Sequence, residues 1–129
     1  MPKVNLSFPN EFKGELKTER GVFKLGREEG HLKPYDMLLG ALGACFFSTF
    51  EGIVKKMKVD FDSAEISVSG EHRDTDPTTL KTVDVKFDFK GVDPENDKKI
   101  QKALDLAAKY CSIYNTVSEV AEISYEYTI

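Results

Sequence analysis

The sequence predicts an α+β domain, because segments with strand and helix periodicity follow one another along its 129 residues. Short segments in which apolar and polar residues alternate, as in half-buried strands, lie near both ends and in the middle of the chain. The stretch from Met37 to Phe50 contains no charged residue and is apolar on every face, as in a helix buried all round. A second helical segment carries an apolar stripe from Ile100 to Cys111.

The N-terminal part is expected to form short strands at 4–8, 12–18 and 22–25, with Glu19-Arg20-Gly21 as a hairpin turn. The first helix is expected from about Tyr35 to Met57. Pro34 is tolerated in a first helical turn, and lysines near the end of the segment suit the negative end of the helix dipole.

The C-terminal part continues with two alternating strands around 64–68 and 83–89, joined by a turn at 73–79. Asp93-Pro94 has the residue types that start a helix, and the apolar stripe follows it. A short turn or helix through Val117 and a final strand at 120–128 complete the order. Because no linker or repeat divides the chain, residues 1–129 are predicted to form a single domain.

Composition excludes several classes of partner. Hydrophobic residues make up 40% and charged residues 31%, which is ordinary for a soluble protein. The net charge of −4, with no basic stripe, argues against nucleic-acid binding. The N-terminus lacks the apolar core of a signal peptide, and the stretch 37–50 is shorter than the roughly 18–20 residues of a membrane span. We therefore expect a cytoplasmic protein without a membrane partner.

Cys45 and Cys111 are the two cysteines, and each lies on a predicted core helix. In a reducing compartment, cysteines are more often free or catalytic than permanently paired. Small residues repeat every four positions beside each of them, so the two helices are expected to approach closely. The alternative is that each thiol serves as a small hydrophobic side chain. Two residue sets form these ridges: Gly40, Ala44 and Ser48 on the first helix, and Ala103 and Ala107 on the second.

No metal or other cofactor is expected, because the chain has no C-x-x-C motif and its two histidines lack ligand spacing. A buried thiol is a poor nucleophile, so a catalytic cysteine would need a cation beside it. An arginine held by a carboxylate suits that role, since it stays charged when partly buried. The candidates are Arg20, Arg27 and Arg73, although each arginine taken singly is more typical of a solvated loop or strand residue.

Two motifs resemble a known superfamily. The segment PYDMLLGALGAC, from Pro34 to Cys45, resembles the P-x-E-x-L-L-x-A-L-G-x-C signature of the OsmC/Ohr superfamily. The segment KYCSI at 109–113 is similar to the K-Y-C-S-V segment of its YhfA-like branch. The resemblance implies an OsmC-like fold, in which antiparallel sheets wrap around two central helices of an intertwined homodimer. It also implies that the active sites lie at the dimer interface.

The same resemblance implies a thiol-dependent peroxidase that reduces organic hydroperoxides. Cys45 would attack the peroxide and become a sulfenic acid, Cys111 would resolve it as a disulfide, and a dithiol reductant would restore both thiols. In this superfamily an arginine and a glutamate support the attacking thiol. Arg20 is the candidate arginine, and Asp36 stands at the position of the glutamate with a shorter side chain.

A small hydrophobic hydroperoxide would need an apolar pocket, for which Phe46, Phe47 and Phe50 are candidates, together with aromatic residues of both chains. Phenylalanines at near-consecutive helical positions are more typical of a core than of a pocket. Two other functions remain open. One is a non-catalytic or weakly active dimer that binds hydrophobic ligands or acts in redox exchange. The other is a thioester hydrolase using His31 and Asp36, which would give the paired cysteines no role.

Overall fold

The computed structural model describes residues 2–129, and within them two compact units follow each other along the chain. The first ends at Leu38, and the second is Leu39–Ile129. That residues 1–129 form a single domain therefore stays a prediction. Helix α1, Pro34–Met57, begins within a residue of the expected position and ends where the sequence predicts.

The first unit contains an antiparallel three-stranded sheet in the order β1-β2-β3. Its strands are β1 Asn5–Ser7, β2 Lys13–Thr18 and β3 Gly21–Gly26. Thr18 pairs with Gly21, so Arg20 lies in a two-residue hairpin turn as predicted. The register sets Leu6, Leu16 and Phe23 side by side, which gives one face of the sheet an apolar row.

The second unit contains a sheet in the order β4-β5-β6 and two further helices. Its elements are β4 Ser63–His72, β5 Leu80–Lys90, α2 Asp97–Tyr110, α3 Ser112–Ser118 and β6 Glu122–Thr128. A 3₁₀ turn at Pro94–Asn96 precedes α2, and the Asp93 carboxylate caps it by accepting the Glu95 N–H at 2.9 Å.

The α+β class is confirmed, but one strand pairing differs from the expectation of antiparallel sheets. β4 and β5 are antiparallel, whereas β5 and β6 are parallel. The reason is the connection between the parallel strands. It contains α2 and α3, which return the chain to the end of the sheet from which β5 started.

The core of the second unit lies between α1 and the apolar face of its sheet. Phe46 packs edge-on against Phe87 with ring centroids 5.1 Å apart, and Phe50 stacks on Phe89 at the same separation. Both helix residues have no exposed surface. A Cβ at Gly43 would lie 3.0 Å from a Val68 methyl group, so this glycine lets α1 approach β4 closely.

α1 is longer than the apolar stretch considered above. With 24 residues it is long and apolar enough to cross a membrane by length and composition alone. A core helix of a soluble protein passes the same test. Leu42, Phe46, Phe50 and Val54 are fully buried inside the protein, so one face of α1 serves as a core surface in this fold.

The small ridge of α1 does not face α2, contrary to the prediction. Gly40, Ala44 and Ser48 are exposed in the single chain, because the large side chains on the opposite side of α1 turn towards the sheet. On α2 the corresponding residues, Ala103 and Ala107, are fully buried, but their burial does not test a close approach of the two helices.

Candidate active site

Cys45 and Cys111 lie side by side, and both are free thiols. Their sulfur atoms are 2.9 Å apart, with the Cys111 S–H donating to the Cys45 Sγ. Cys45 is in the middle of α1, and Cys111 stands between α2 and α3. The predicted approach of the two thiols is confirmed, whereas their chemical roles stay predictions.

A break between two helices sets the position of Cys111. Its backbone is extended, with φ −70° and ψ 118°, so α2 ends at Tyr110 and α3 begins at Ser112. Its N–H donates to the Ala107 carbonyl at 2.7 Å and closes α2. Its sulfur accepts the Tyr114 N–H at 3.3 Å and caps α3. One cysteine therefore terminates one helix and starts the next.

The surroundings of Cys45 favour its thiolate. Burial raises the pKa of this thiol, but hydrogen bonds from the Cys111 thiol, the Ile113 backbone and the Ser112 hydroxyl outweigh it and lower the pKa. Thr49 contributes least, and its hydroxyl donates to the Cys45 carbonyl at 2.9 Å. All these groups belong to the second unit.

Cys111 has the opposite character. Burial raises the pKa of its thiol, and so does the hydrogen bond that it donates to Cys45. Cys111 has no exposed surface, whereas Cys45 is partly exposed. Cys111, the inner thiol, therefore keeps its proton. Cys45, the outer thiol, is the one that ionises more readily. This arrangement places an accessible thiol, Cys45, within hydrogen-bonding distance of a second thiol, Cys111.

Aromatic rings pack beside the thiol pair. Phe46 contacts Tyr114 and Tyr125 edge-on, with centroids 5.2 and 5.3 Å away. Burial raises the pKa of the Tyr114 hydroxyl, which keeps this side chain neutral. The Tyr125 hydroxyl donates to an Asp105 carboxylate oxygen at 2.6 Å. Neither tyrosine is predicted from the sequence as a site residue, although Tyr114 lies three residues after Cys111, one helical turn away.

The three phenylalanines proposed as pocket residues lie in an aromatic cluster. Phe46 and Phe50 are fully buried in the single chain, and Phe47 is half-buried against Phe61 with centroids 6.0 Å apart. Their burial favours the alternative that they form core. A contact with substrate stays a prediction, and Phe47 is the one of the three with exposed surface.

Arg20 and Asp36 both lie in the first unit. Arg20 is exposed, and its backbone N–H donates to the Thr18 hydroxyl at 3.0 Å. The Asp36 carboxylate accepts the Lys33 N–H at 2.8 Å, which caps the start of α1. Within residues 2–129 no ion pair joins Arg20 to Asp36. Their support of the thiol stays a prediction.

The other two arginines have structural contacts. The Arg27 guanidinium lies over the Phe12 ring, 5.2 Å from its centroid. Arg73 donates to the Leu80 carbonyl and, at 3.0 Å, to the Val120 carbonyl. The His31 ring lies 3.3 Å from the Glu29 carbonyl. No three metal-binding side chains cluster in the part of the chain that the structure describes.

Comparison with known proteins identifies the family. Residues 26–126 match the family model of OsmC-like proteins. Protein YhfA of Escherichia coli K12 is 28% identical over 97 residues, which cover 74% of this chain and 72% of YhfA.

Solved structures share the fold. That of an OsmC-like protein from Mycoplasma pneumoniae has a TM-score of 0.87 at 18% identity, covering 99% of this chain and 96% of that one. That of the organic hydroperoxide resistance protein OhrB of Bacillus subtilis has a TM-score of 0.72 at 17% identity, covering 98% of each chain. With the family model matching most of its length, this chain belongs to the OsmC-like proteins.

Proposed function

We propose that this protein is a cytoplasmic thiol peroxidase that reduces small hydrophobic organic hydroperoxides. One observation carries the proposal: two free thiols lie 2.9 Å apart, and the outer one has the lowered pKa. The fold shared with organic hydroperoxide resistance proteins supports the substrate class. Cys45 is the attacking thiol in this scheme and Cys111 the resolving thiol.

The first step consumes the peroxide. The Cys45 thiolate attacks one oxygen of the O–O bond, the bond breaks, and the leaving alkoxide takes a proton from water to become an alcohol. Cys45 is then a sulfenic acid. The hydrogen bonds from the Cys111 thiol and from the Ile113 and Ser112 groups lower the pKa of Cys45, so more thiolate is present at neutral pH.

The second step forms the disulfide. The Cys111 sulfur attacks the Cys45 sulfur, the S–O bond breaks, and the departing hydroxide leaves as water with the Cys111 proton. The sulfur separation of 2.9 Å must shorten to about 2.05 Å. A dithiol reductant then reduces the disulfide by exchange and is itself oxidised.

The proposal includes an obligate homodimer. In the single chain, Leu6 and Phe23 on the apolar row of the first sheet are each 52% exposed. The row of small residues on α1, Gly40, Ala44 and Ser48, is exposed as well. A second copy would cover such surfaces, and closed two-fold pairing is the commonest way. We expect an apolar interface of at least about 2,000 Å² in total, with Arg20 and Asp36 acting on Cys45 of their own or the partner chain.

Two cysteine variants test the peroxidase. Cys45→Ser is expected to abolish reduction of tert-butyl or fatty-acid hydroperoxide. Cys111→Ser is expected to allow one turnover and then stall at a sulfenic acid, which a dimedone adduct detects by mass spectrometry. Undiminished peroxide reduction by Cys45→Ser would contradict the proposal.

The role of Arg20 has its own test. Arg20→Ala is expected to raise the pKa of Cys45, measured by thiolate absorbance, and Asp36→Asn is expected to act in the same direction. Arg27→Ala is the matched control, because the Arg27 guanidinium already lies over Phe12. A pKa that is equal in wild type and Arg20→Ala would remove Arg20 from the mechanism.

The second candidate is a weakly active or non-catalytic dimer that acts in redox exchange or binds a hydrophobic ligand. It is favoured by the absence of an Arg20–Asp36 ion pair within the described chain. The second-order rate constant for Cys45 oxidation separates the two functions. A value no higher than that of a free thiol at the same pH would favour the second candidate.

A further inference from the structure

The break at Cys111 leaves backbone groups of α2 and α3 without their usual partners. In a continuous helix the carbonyls of Ala108 and Lys109 would accept the N–H groups of Ser112 and Ile113. Because Cys111 is extended, the chain turns away before these bonds can form. The Tyr114 N–H instead donates to the Cys111 sulfur at 3.3 Å. The Ile113 backbone beside the thiols lowers the pKa of Cys45.

The Asn115 side chain supplies hydrogen-bond donors to the carbonyls at the corner where α2 ends and α3 begins. The Asn115 Nδ2 lies 3.1 Å from the Ala108 oxygen, 3.1 Å from the Lys109 oxygen and 2.8 Å from the Cys111 oxygen. The Asn115 backbone N–H donates to the same Cys111 oxygen at 3.0 Å. Asparagine carries its two side-chain protons on one planar nitrogen, so a single residue serves carbonyls on both sides of the break.

We infer that Asn115 is a positioning residue, which holds the corner between α2 and α3 so that the Cys111 sulfur stays beside the Cys45 sulfur. The inference rests on the proposed function of the thiol pair. Without the amide, carbonyls at the corner would lack a donor, and unpaired polar groups are costly where they are shielded from water. The corner would relax towards water or towards a continuous helix. Either change moves Cys111 away from Cys45.

The test measures how readily the two thiols form a disulfide without any peroxide. Wild type, Asn115→Asp, Asn115→Leu and Thr116→Val are equilibrated in glutathione redox buffers, and the oxidised fraction is counted by mass spectrometry after thiol trapping. Asn115→Asp keeps the shape of the side chain but removes its N–H donors. Thr116→Val removes a hydrogen bond elsewhere in α3, from the Thr116 hydroxyl to the Ser112 carbonyl at 2.8 Å.

We expect both Asn115 variants to lower the equilibrium constant for the Cys45–Cys111 disulfide about tenfold, or about 30 mV for a two-electron couple. Thr116→Val should stay within about twofold of wild type, since its lost bond lies outside the corner and a single such bond contributes little. Thermal unfolding of each reduced variant shows whether the fold is kept. If Asn115→Leu does not fold, Asn115→Asp decides.

An unchanged equilibrium constant in folded Asn115→Asp would overturn the inference, as would an equal decrease in Thr116→Val. The outcome does not depend on catalysis, because glutathione supplies the oxidising equivalents. A wild-type protein that forms the disulfide but does not reduce peroxide would overturn the peroxidase alone. A normal sulfenic acid signal with an unaltered disulfide constant in the Asn115 variants would overturn the role of Asn115 alone.

Discussion

The two sheets differ in how the chain covers their apolar faces. In the second unit Val83, Val85 and Phe89 have no exposed surface, because α1 packs on the sheet. In the first unit Leu6 and Phe23 are each 52% exposed, although their strands also pair in regular register. Pairing and side-chain pattern therefore set which face is apolar, whereas a further layer must cover it. The exposed row of the first sheet is the surface that the proposed homodimer would cover.

The largest expected effect concerns the covered sheet. Phe46→Ala removes a fully buried ring that contacts three aromatic neighbours, so it should lower the free energy of unfolding by about 3–5 kcal/mol. Urea denaturation at several protein concentrations measures it. Met57→Ala, at the half-buried end of α1, is the milder control. A loss below about 1 kcal/mol would mean that this core collapses around the cavity.

The next effect concerns the open sheet. Leu6→Lys places a charge in the apolar row and should shift the protein from dimer to monomer in light scattering. The wild-type unfolding midpoint should rise with protein concentration, because dissociation and unfolding are coupled. Lys17→Glu, on a strand position outside that row, is the control and should stay dimeric. A wild-type monomer of 14.5 kDa at micromolar concentration would rule out the proposed interface.

A third test asks how far the second unit alone activates Cys45. Since the pKa of Cys45 is lowered, its alkylation by iodoacetamide should reach half-maximal rate below pH 9.0, its ordinary value. Cys111→Ala removes a hydrogen-bond donor and should move the midpoint upwards. Cys111→Ser keeps an O–H donor and should move it less. Equal midpoints for these two variants would show that the donor at position 111 has no part in the activation.

The smallest effect concerns the edge of the covered sheet. The Tyr127 hydroxyl donates to the Asp97 carboxylate at 2.6 Å, and burial together with this bond raises the pKa of Tyr127 to about 12. Tyr127→Phe should cost about 0.5–1.5 kcal/mol of unfolding free energy at neutral pH. Above pH 10 the unfolded tyrosine ionises while the folded one stays neutral, so wild type loses stability there.

The difference between wild type and Tyr127→Phe should therefore shrink as the pH rises from about 10 to about 12. Denaturant titrations at fixed pH measure it. Tyr110→Phe serves as the control, because the Tyr110 side chain is 64% exposed. A gap that widens with pH would show that the Asp97 bond is not what sets the titration of Tyr127.

Much of the fold could be predicted because the signals are local. Pro34 and the lysines near Met57 mark the limits of α1, and the apolar stripe marks α2. The parallel pairing of β6 could not be predicted from alternation, which is the same in either direction. The outward direction of Gly40 and Ala44 was also missed, since an apolar helix carries no sign of which face meets the sheet.

The site was predictable in its thiols but not in their support. The two sequence motifs indicate Cys45 and Cys111, and the apolar stripe of the second helix also ends at Cys111. The bonds from Asn115 to carbonyls of the preceding helix have no periodic signature, because they depend on a break at one residue. The amide that donates to the Cys111 sulfur is freed by the same break, and neither composition nor spacing reveals it.

The full burial of Cys111 behind a partly exposed Cys45 makes the pair directional. In the proposed cycle a reducing dithiol from solvent would attack the sulfur of Cys45, so the mixed disulfide would form on Cys45 and Cys111 would be the leaving group. The sulfur atoms need to move less than about 1 Å between the two redox states, which is comparable with thermal displacement in an ordered protein. The proposed cycle would therefore need no local unfolding to bring the second sulfur into reach.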